Sequence, residues 1–268
     1  MTAKSILSNK YSFSILILLL LVIIDISLHK GFTRVIIPSE FTNKRIPAIL
    51  PACSNMLLNE NKHWAKAVNN PEFLDNLKTD IGGIEIDVYF DSSNNQFFSY
   101  HDSSNLSNVL LSDILRRKSR VLPEPSVWLD FKNLHPFNMQ PARAVLTRMR
   151  DSFQLKNKFI IESSDAASLS GFCQAGFYTS YYVPYNNPYQ AEEPETLLFI
   201  DSVASNVKQY PPSALSGYYF QYPLLKKFFP TYPLLIWSDN STLSAIGYLF
   251  KSKVESDSAV RVILTPAR

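Results

Sequence analysis

The sequence predicts an α/β fold, a barrel of eight parallel strands closed on itself and surrounded by helices. The length of 268 residues suits such a barrel, which typically needs about 250. Short apolar runs of strand length alternate with longer amphipathic segments, the order expected of parallel strands with crossover helices. Polar or turn residues follow the downstream ends of these runs. The alternative, an open doubly wound sheet, lacks the support of a glycine-rich phosphate loop.

The first two barrel strands frame the segment with the most polar signal. "HWAKAVN" (63–69) predicts the first strand, and "PEFLDNLKTD" after it predicts a helical turn that starts at Pro71, since proline suits a first helical turn. "GGIEIDVYFDSSNNQFFSYHD" (82–102) predicts the second strand, a turn, and a return arm that makes a hairpin.

The rest of the chain continues the alternation of strands and helices. "SNVLLSDILRRK" (107–118) carries an apolar stripe at helical spacing, and "QPARAVLTRMRDSF" (140–153) predicts a second helix. The six remaining strands of the predicted barrel are residues 126–134, 158–165, 176–184, 215–223, 232–240 and 259–267.

The N-terminal region contains the apolar run "FSILILLLLVIIDISL" (13–28), in which Asp25 is the one charged residue. The run is at the short end of what spans a bilayer. A cleaved secretory signal is the rival interpretation, because Lys4 and Lys10 form a positive leader, but no small-residue cleavage site follows. We therefore predict a transmembrane signal anchor and a barrel outside the cytoplasm. The predicted divisions are a tail (1–10), the transmembrane anchor (11–29), a linker (30–59) and the barrel (60–268).

Composition narrows the classes of function. A hydrophobic content of 46% supports a sizeable core, and a net charge of +3 without a basic stripe argues against nucleic acid as a partner. Cys53 and Cys173 are too few for a disulfide framework. One disulfide is compatible with a location outside the cytoplasm, but the sequence alone does not pair them.

Glu85 and Asp87 are the first candidates for chemistry. They lie two residues apart, so in a strand they point to the same face, which for an isolated pair would usually be the solvent. In a barrel, reactive groups gather where strands meet their following loops, and His101 would return over this mouth on the hairpin. Two buried carboxylates together invite a cation, and oxygen ligands favour Mg²⁺ or Ca²⁺.

A second polar pair lies on the predicted third strand. "VWLDFKNL" places Asp130 and Lys132 at alternate positions, on one face. Asp130 could be a third metal ligand and Lys132 a cation for an anionic substrate. A plain Asp–Lys salt bridge explains the same pattern.

These motifs together resemble the glycerophosphodiester phosphodiesterases and the wider phospholipase-C-like phosphodiesterase superfamily, whose members are TIM barrels. "IEIDVYFDSSNNQFFSYHD" is similar to their strand–hairpin segment and "WLDFK" to their third-strand motif, while "IWSDN" and "VILTPA" are similar to their last two strands. "HWAKAVNNPEFLDNL" looks most like the menorin-like branch. The resemblance runs from about residue 63 to the C-terminus.

The resemblance implies roles for particular residues. It makes Glu85, Asp87 and Asp130 metal ligands, His101 a catalytic histidine, and Lys132 and Trp237 parts of the substrate site. It also exposes a departure, because Lys66 stands where the family has a first-strand histidine. A protonated lysine cannot act as nucleophile or base, but burial beside another cation could lower its pKa and allow that role. In contact with Glu85 and Asp87 it would stay charged and could take the place of the metal. Lys66 and Lys132 therefore join His101 as candidate catalytic residues.

Three hypotheses follow. The first is a membrane-anchored, metal-dependent phosphoric diester hydrolase acting on a glycerophosphodiester or a lipid head group. The second is a catalytically impaired barrel, with Lys66 in place of histidine, that serves as a binding or scaffolding module. The third is a structural membrane protein, for which Glu85, Asp87 and Asp130 would be dispersed.

Overall fold

The computed structural model describes residues 3–28, 44–52, 61–102, 105–188, 190–238 and 245–266. Its strands are β1 (His63–Lys66), β2 (Gly83–Asp91), β3 (Gln96–Asp102), β4 (Asn105–Leu110), β5 (Ser126–Phe131), β6 (Phe159–Ser163), β7 (Tyr178–Tyr182), β8 (Ala214–Tyr218), β9 (Leu234–Trp237) and β10 (Val260–Pro266). Its α-helices are α1 (Ala3–Leu28), α2 (Leu111–Val121), α3 (Pro136–Ser152), α4 (Ala166–Gln174), α5 (Glu193–Gln209), α6 (Tyr222–Phe228) and α7 (Ala245–Ser256).

Eight of the strands form the predicted closed parallel barrel. Their spatial order is β1-β10-β9-β8-β7-β6-β5-β2, and β1 also pairs with β2, which closes the ring. The strands β3 and β4 extend from β2 as an antiparallel addition outside this ring. The predicted fold class, a TIM barrel with a hairpin after its second strand, is therefore confirmed.

Two local predictions assigned the wrong type of element to part of their range. Residues 107–110, predicted as helix, belong to β4, and α2 starts at Leu111. The neighbouring strand β3 decides this, because its free edge offers backbone hydrogen bonds that a helical start would leave unused. The strand predicted over 215–223 ends at Tyr218 and turns into a short 3₁₀ helix and α6. The helical turn predicted from Pro71 is present as a 3₁₀ helix, Pro71–Asn76.

The N-terminal apolar run lies in α1. Among the described residues, none of the helices combines the length and the apolar character needed to cross a membrane. The transmembrane anchor predicted over residues 11–29 is therefore not supported, and residue 29 lies outside the described residues.

The core has two parts, separated by the barrel wall. One fills the space between the barrel and the helices. The other fills the lower part of the barrel interior, which is the end where the parallel strands begin. Its side chains come from seven strands: Trp64, Trp128, Ile160, Tyr178, Ala214, Leu235, Val262 and Leu264. Gly83 makes room for this packing, because a Cβ at that position would lie 2.5 Å from the ring of Trp64.

Part of the predicted linker packs on the lower end of the barrel. The Ala52 N–H donates to the carbonyl of Pro212 at 3.1 Å, and the Tyr232 hydroxyl donates to the carbonyl of Leu50 at 3.3 Å. Cys173, at the end of α4, is disulfide-bonded. Cys53, the other cysteine of the sequence, lies outside the described residues.

Candidate active site

Three buried carboxylates meet at the upper end of the barrel strands. Glu85 and Asp87 project from β2 and Asp130 from the neighbouring β5, where Asp87 and Asp130 are direct partners. One oxygen from each of the three lies within 4.8 Å of the others, and all three residues are buried. The third hypothesis, which required these residues to be dispersed, is wrong.

The end of β1 orients two of these carboxylates. The Ala67 N–H donates to Glu85 Oε2 at 2.7 Å, and Ala67 has a φ of 57°, the left-handed conformation that non-glycine residues rarely adopt. Asn69 donates from Nδ2 to Asp87 Oδ2 at 2.8 Å, and its Oδ1 accepts from the Asp87 N–H at 2.9 Å. Neither Ala67 nor Asn69 was singled out from the sequence, although both lie in the "AKAVN" motif.

Lys132 partly neutralises the cluster. Its Nζ lies 2.7 Å from Asp87 Oδ1 and also donates to Asp130 Oδ2, so the predicted Asp–Lys salt bridge exists alongside the acidic cluster. Burial lowers the pKa of Lys132, but the negative charges of Asp130 and Asp87 outweigh it and raise the pKa above its ordinary value. Lys132 is therefore a permanent cation of the site.

The carboxylates remain under electrostatic stress despite Lys132. Burial raises the pKa of Glu85 to about 8, with further contributions from the charges of Asp87 and Asp130, against the opposing effects of the Ala67 N–H and Lys132. Burial also raises the pKa of Asp130, although Lys132 opposes it. The cluster therefore favours an additional cation or a proton.

Lys66 and Trp237 complete the charged side of the mouth. Lys66 Nζ lies 5.3 Å from the ring centroid of Trp237, and Lys132 Nζ lies 5.8 Å from it. Both residues predicted for the substrate site, Lys132 and Trp237, thus adjoin the acidic cluster. His63 does not, because it starts β1 at the lower end and its Nε2 lies 3.8 Å from Glu255 Oε1.

Aromatic rings form the opposite side of the mouth. Tyr182 stacks on Trp237 with centroids 4.9 Å apart and an interplanar angle of 7°. Tyr218 packs edge-on against Trp237 and stacks on Phe220, and Tyr185, 66% exposed, packs on both of these rings from the outside. The strands β7, β8 and β9 therefore supply rings where β2 and β5 supply charge.

A buried polar group that the sequence reasoning missed lies beside the acidic cluster. Glu162 on β6 is the direct partner of Asp130 and is fully buried. The Ser216 hydroxyl lies close enough to this carboxylate to lower its pKa, but neither group forms a hydrogen bond of good geometry, and the Ser180 hydroxyl has no hydrogen-bond partner in the described part of the chain. Burial raises the pKa of Glu162 well above its ordinary value, and the charge of Asp130 raises it further. Its position two residues past Ile160, on an apolar strand, was the available signal.

The predicted catalytic histidine is only partly located. His101 belongs to β3, which runs antiparallel to β2 and so brings this backbone back from the tip of the hairpin. The His101 side chain lies outside the described residues. Its catalytic role therefore stays a prediction.

Comparisons with known proteins give a fold but no sequence relative. No family model matches the chain, and no curated protein matches its sequence. A glycerophosphodiester phosphodiesterase from Parabacteroides distasonis is similar, with a TM-score of 0.51 and 12% identity over 77% of this chain and 94% of that one. A Galdieria sulphuraria protein assigned to the same class has a TM-score of 0.54 and 11% identity over 78% and 95% of the two chains.

A third similar structure carries a ligand. It is an Oleispira antarctica phosphodiesterase in complex with the product sn-glycerol-3-phosphate, with a TM-score of 0.51 and 11% identity over 78% of this chain and 93% of that one. At such identities the likeness establishes the fold. The predicted resemblance to the phosphodiesterase barrels is confirmed at that level, and the menorin-like branch is not confirmed.

Proposed function

We propose that the protein is a metal-dependent phosphoric diester hydrolase that acts on a glycerophosphodiester or a lipid head group. The observation that carries the proposal is the buried cluster of Glu85, Asp87 and Asp130 at the mouth of the barrel. Buried carboxylates in mutual contact are costly unless they bind a cation or a proton. The phosphodiesterase fold of the similar structures supports the choice of reaction.

The three carboxylates fit a divalent cation. They offer only oxygen ligands, which Mg²⁺ and Ca²⁺ prefer, and the contacts with Ala67, Asn69 and Lys132 leave lone pairs available on each carboxylate. Lys132 balances only one of the three negative charges by direct ion pairing. A bound divalent cation would neutralise charge on the phosphoryl oxygens of the substrate.

Side chains of the protein itself perform the other tasks of the proposed reaction. Lys132, held by Asp87 and Asp130, presents a fixed positive charge to the phosphate group. Trp237 and its stacked partner Tyr182 form a wall against the leaving group. His101 is the proposed acid that protonates the leaving alkoxide, since His63 lies at the lower end of the barrel and neither His29 nor His135 falls in a motif of the site.

Lys66 defines the second candidate function, an impaired barrel that binds its ligand without hydrolysing it. A lysine in this position cannot supply the base that the family's histidine supplies. The substitution Lys66→His discriminates the two candidates. A large gain of hydrolysis would mean that Lys66 alone limits the activity of the site. Continued absence of hydrolysis in a variant that binds metal would favour the binding module.

We propose an extracytoplasmic location for the barrel. The disulfide of Cys173 supports it, because disulfides persist mainly in oxidising compartments. Anchoring through the N-terminal segment stays a prediction from the sequence.

The test is hydrolysis of glycerophosphodiesters by the full chain with Mg²⁺ or Ca²⁺, measured as release of phosphomonoester. We expect activity that chelation abolishes and that Glu85→Gln and Asp87→Asn each reduce by at least about 100-fold, given that even residues supporting a metal ligand contribute about 10–100-fold. Asp113→Asn is the matched control, because Asp113 pairs with Arg116 on the surface. Hydrolysis that survives both site changes would contradict the proposal.

A further inference from the structure

Lys66 differs from Lys132 in having no acidic ion-pair partner among the residues that the structure describes. Lys132 forms ion pairs with two carboxylates. Lys66 forms no ion pair and no side-chain hydrogen bond with any residue that the structure describes, and its recorded contact is the ring of Trp237. It lies near enough to Asp130 to lower the pKa of that carboxyl, but not within ion-pair distance.

The position of Lys66 places its ammonium at the mouth of the barrel. It is the last residue of β1, at the same end of the barrel as the acidic cluster, and its side chain is half-buried. Trp237 holds the ammonium against its ring, and Tyr182 is stacked on the same indole. A half-buried lysine at the barrel mouth, with no ion-pair partner in the described parts of the chain, is suited to receive an anion from outside the chain.

We propose that Lys66, supported by Trp237, is an anion-binding residue that contacts the non-bridging oxygens of a phosphate group and binds it without a metal. The identity of the ligand rests on the proposed function, whereas the cation site itself rests on the contacts of Lys66. In this arrangement a positively charged lysine stands where the similar phosphodiesterases have a histidine that can act as a base.

The direct test is binding of sn-glycerol 3-phosphate, and separately of inorganic phosphate, to the full chain in excess chelator. Calorimetry gives the affinity, and the indole N–H signal of Trp237 in nitrogen-15 NMR reports binding at the mouth of the unmodified protein. We expect saturable binding that weakens with salt, that falls at least tenfold in Lys66→Met and that is largely retained in Lys66→Arg.

The matched control is Lys227→Met. Lys227 also lies over an aromatic ring, with its Nζ 5.2 Å from the centroid of Phe228, but it belongs to α6 on the outside of the barrel. The variant Lys227→Met should bind phosphate with the same affinity as the unmodified protein. If Lys66→Met does not fold, the Trp237 signal of the unmodified protein still decides, because an unshifted signal at saturating phosphate would overturn the proposal.

The outcomes separate this inference from the proposed function. Lys66-dependent phosphate binding without hydrolysis would support the inference and count against the hydrolase. Metal-dependent hydrolysis together with equal phosphate affinity in the unmodified protein and Lys66→Met would overturn the inference alone. Absence of any phosphate binding in chelator would overturn it as well.

Discussion

The lower and upper layers of the barrel interior are built on opposite principles. The lower layer is apolar, and large rings such as Trp64 and Trp128 fill it, packed edge-to-face at 6.4 Å. The next layer up, only two residues further along the same strands, contains Glu85, Asp130 and Glu162, all buried. The same backbone thus carries a packed core at one end and an expensive cluster of carboxylates at the other.

The difference shows where stability and chemistry are kept apart. Apolar burial in the lower layer stabilises the fold at about 25 cal/mol per Å², whereas buried carboxylates without enough positive charge reduce stability. A chain keeps such groups where they serve binding or catalysis. Changes in the two layers should therefore shift stability in opposite directions.

The largest effect is expected from emptying the lower layer. Trp128→Ala removes a fully buried ring and should lower the free energy of unfolding by about 3–5 kcal/mol, measured by urea denaturation. Leu198→Ala, in which the side chain is 70% exposed on α5, is the control and should change it little. Equal effects of the two would refute the assignment of the core.

The next effect is a pH dependence caused by the upper layer. The pKa of Glu85 rises from 4.5 to about 8 on folding. The unfolded chain therefore loses the proton of Glu85 at a lower pH than the folded chain does. In chelator, stability should therefore fall between pH 4.5 and 8 and level off above, by a few kcal/mol at most. Thermal melts across this range provide the measurement, and Glu85→Gln should flatten the slope. A slope unchanged in this variant would assign it to other groups.

A smaller effect is expected from the residue that orients Asp87. Asn69→Ala removes both hydrogen bonds to Asp87 and should reduce metal affinity about 10–100-fold, measured by calorimetry. Asn133 is a suitable contrast, because it bonds to both backbone groups of Phe90 and to no carboxylate of the cluster. Should Asn133→Ala weaken metal binding equally, a general loss of order would explain both results.

The smallest effect is a gain of stability. Glu162→Met replaces a buried carboxyl that lacks a hydrogen bond of good geometry and lies beside Asp130 by an apolar side chain of similar size, and should stabilise the fold by about 1–2 kcal/mol. Gln221→Met is the opposite case, because the Gln221 amide accepts from the Tyr218 N–H and donates to the Pro184 carbonyl. It should destabilise. Loss of stability in both variants would mean that the contact of Glu162 with the Ser216 hydroxyl outweighs the cost of burying the carboxyl.

The sequence sufficed for the barrel because strand length, alternation and the hairpin all indicated it. It failed at residues 107–110, where amphipathic spacing was compatible with a helix and the free edge of β3 decided for a strand. The amphipathic spacing within one segment does not report its pairing with the strand that precedes it.

The candidate site divides in the same way. Glu85, Asp87, Asp130 and Lys132 were predictable because alternation places them on the inner face of β2 and β5. Asn69 and Glu162 were not, since their importance comes from contacts across neighbouring strands. The contact between Lys66 and Trp237 likewise joins β1 to β9, and no local pattern in the sequence reports it.

The most direct test of the account is a titration of the full chain with Mg²⁺ and Ca²⁺, followed by the melting temperature. The account predicts a saturable rise with at least one of the two ions, abolished in Asp87→Asn and retained in Asp113→Asn, in which an exposed surface carboxylate is changed. No rise with either ion, or a rise that Asp87→Asn leaves intact, would contradict the claim that the upper layer of the barrel is a metal site.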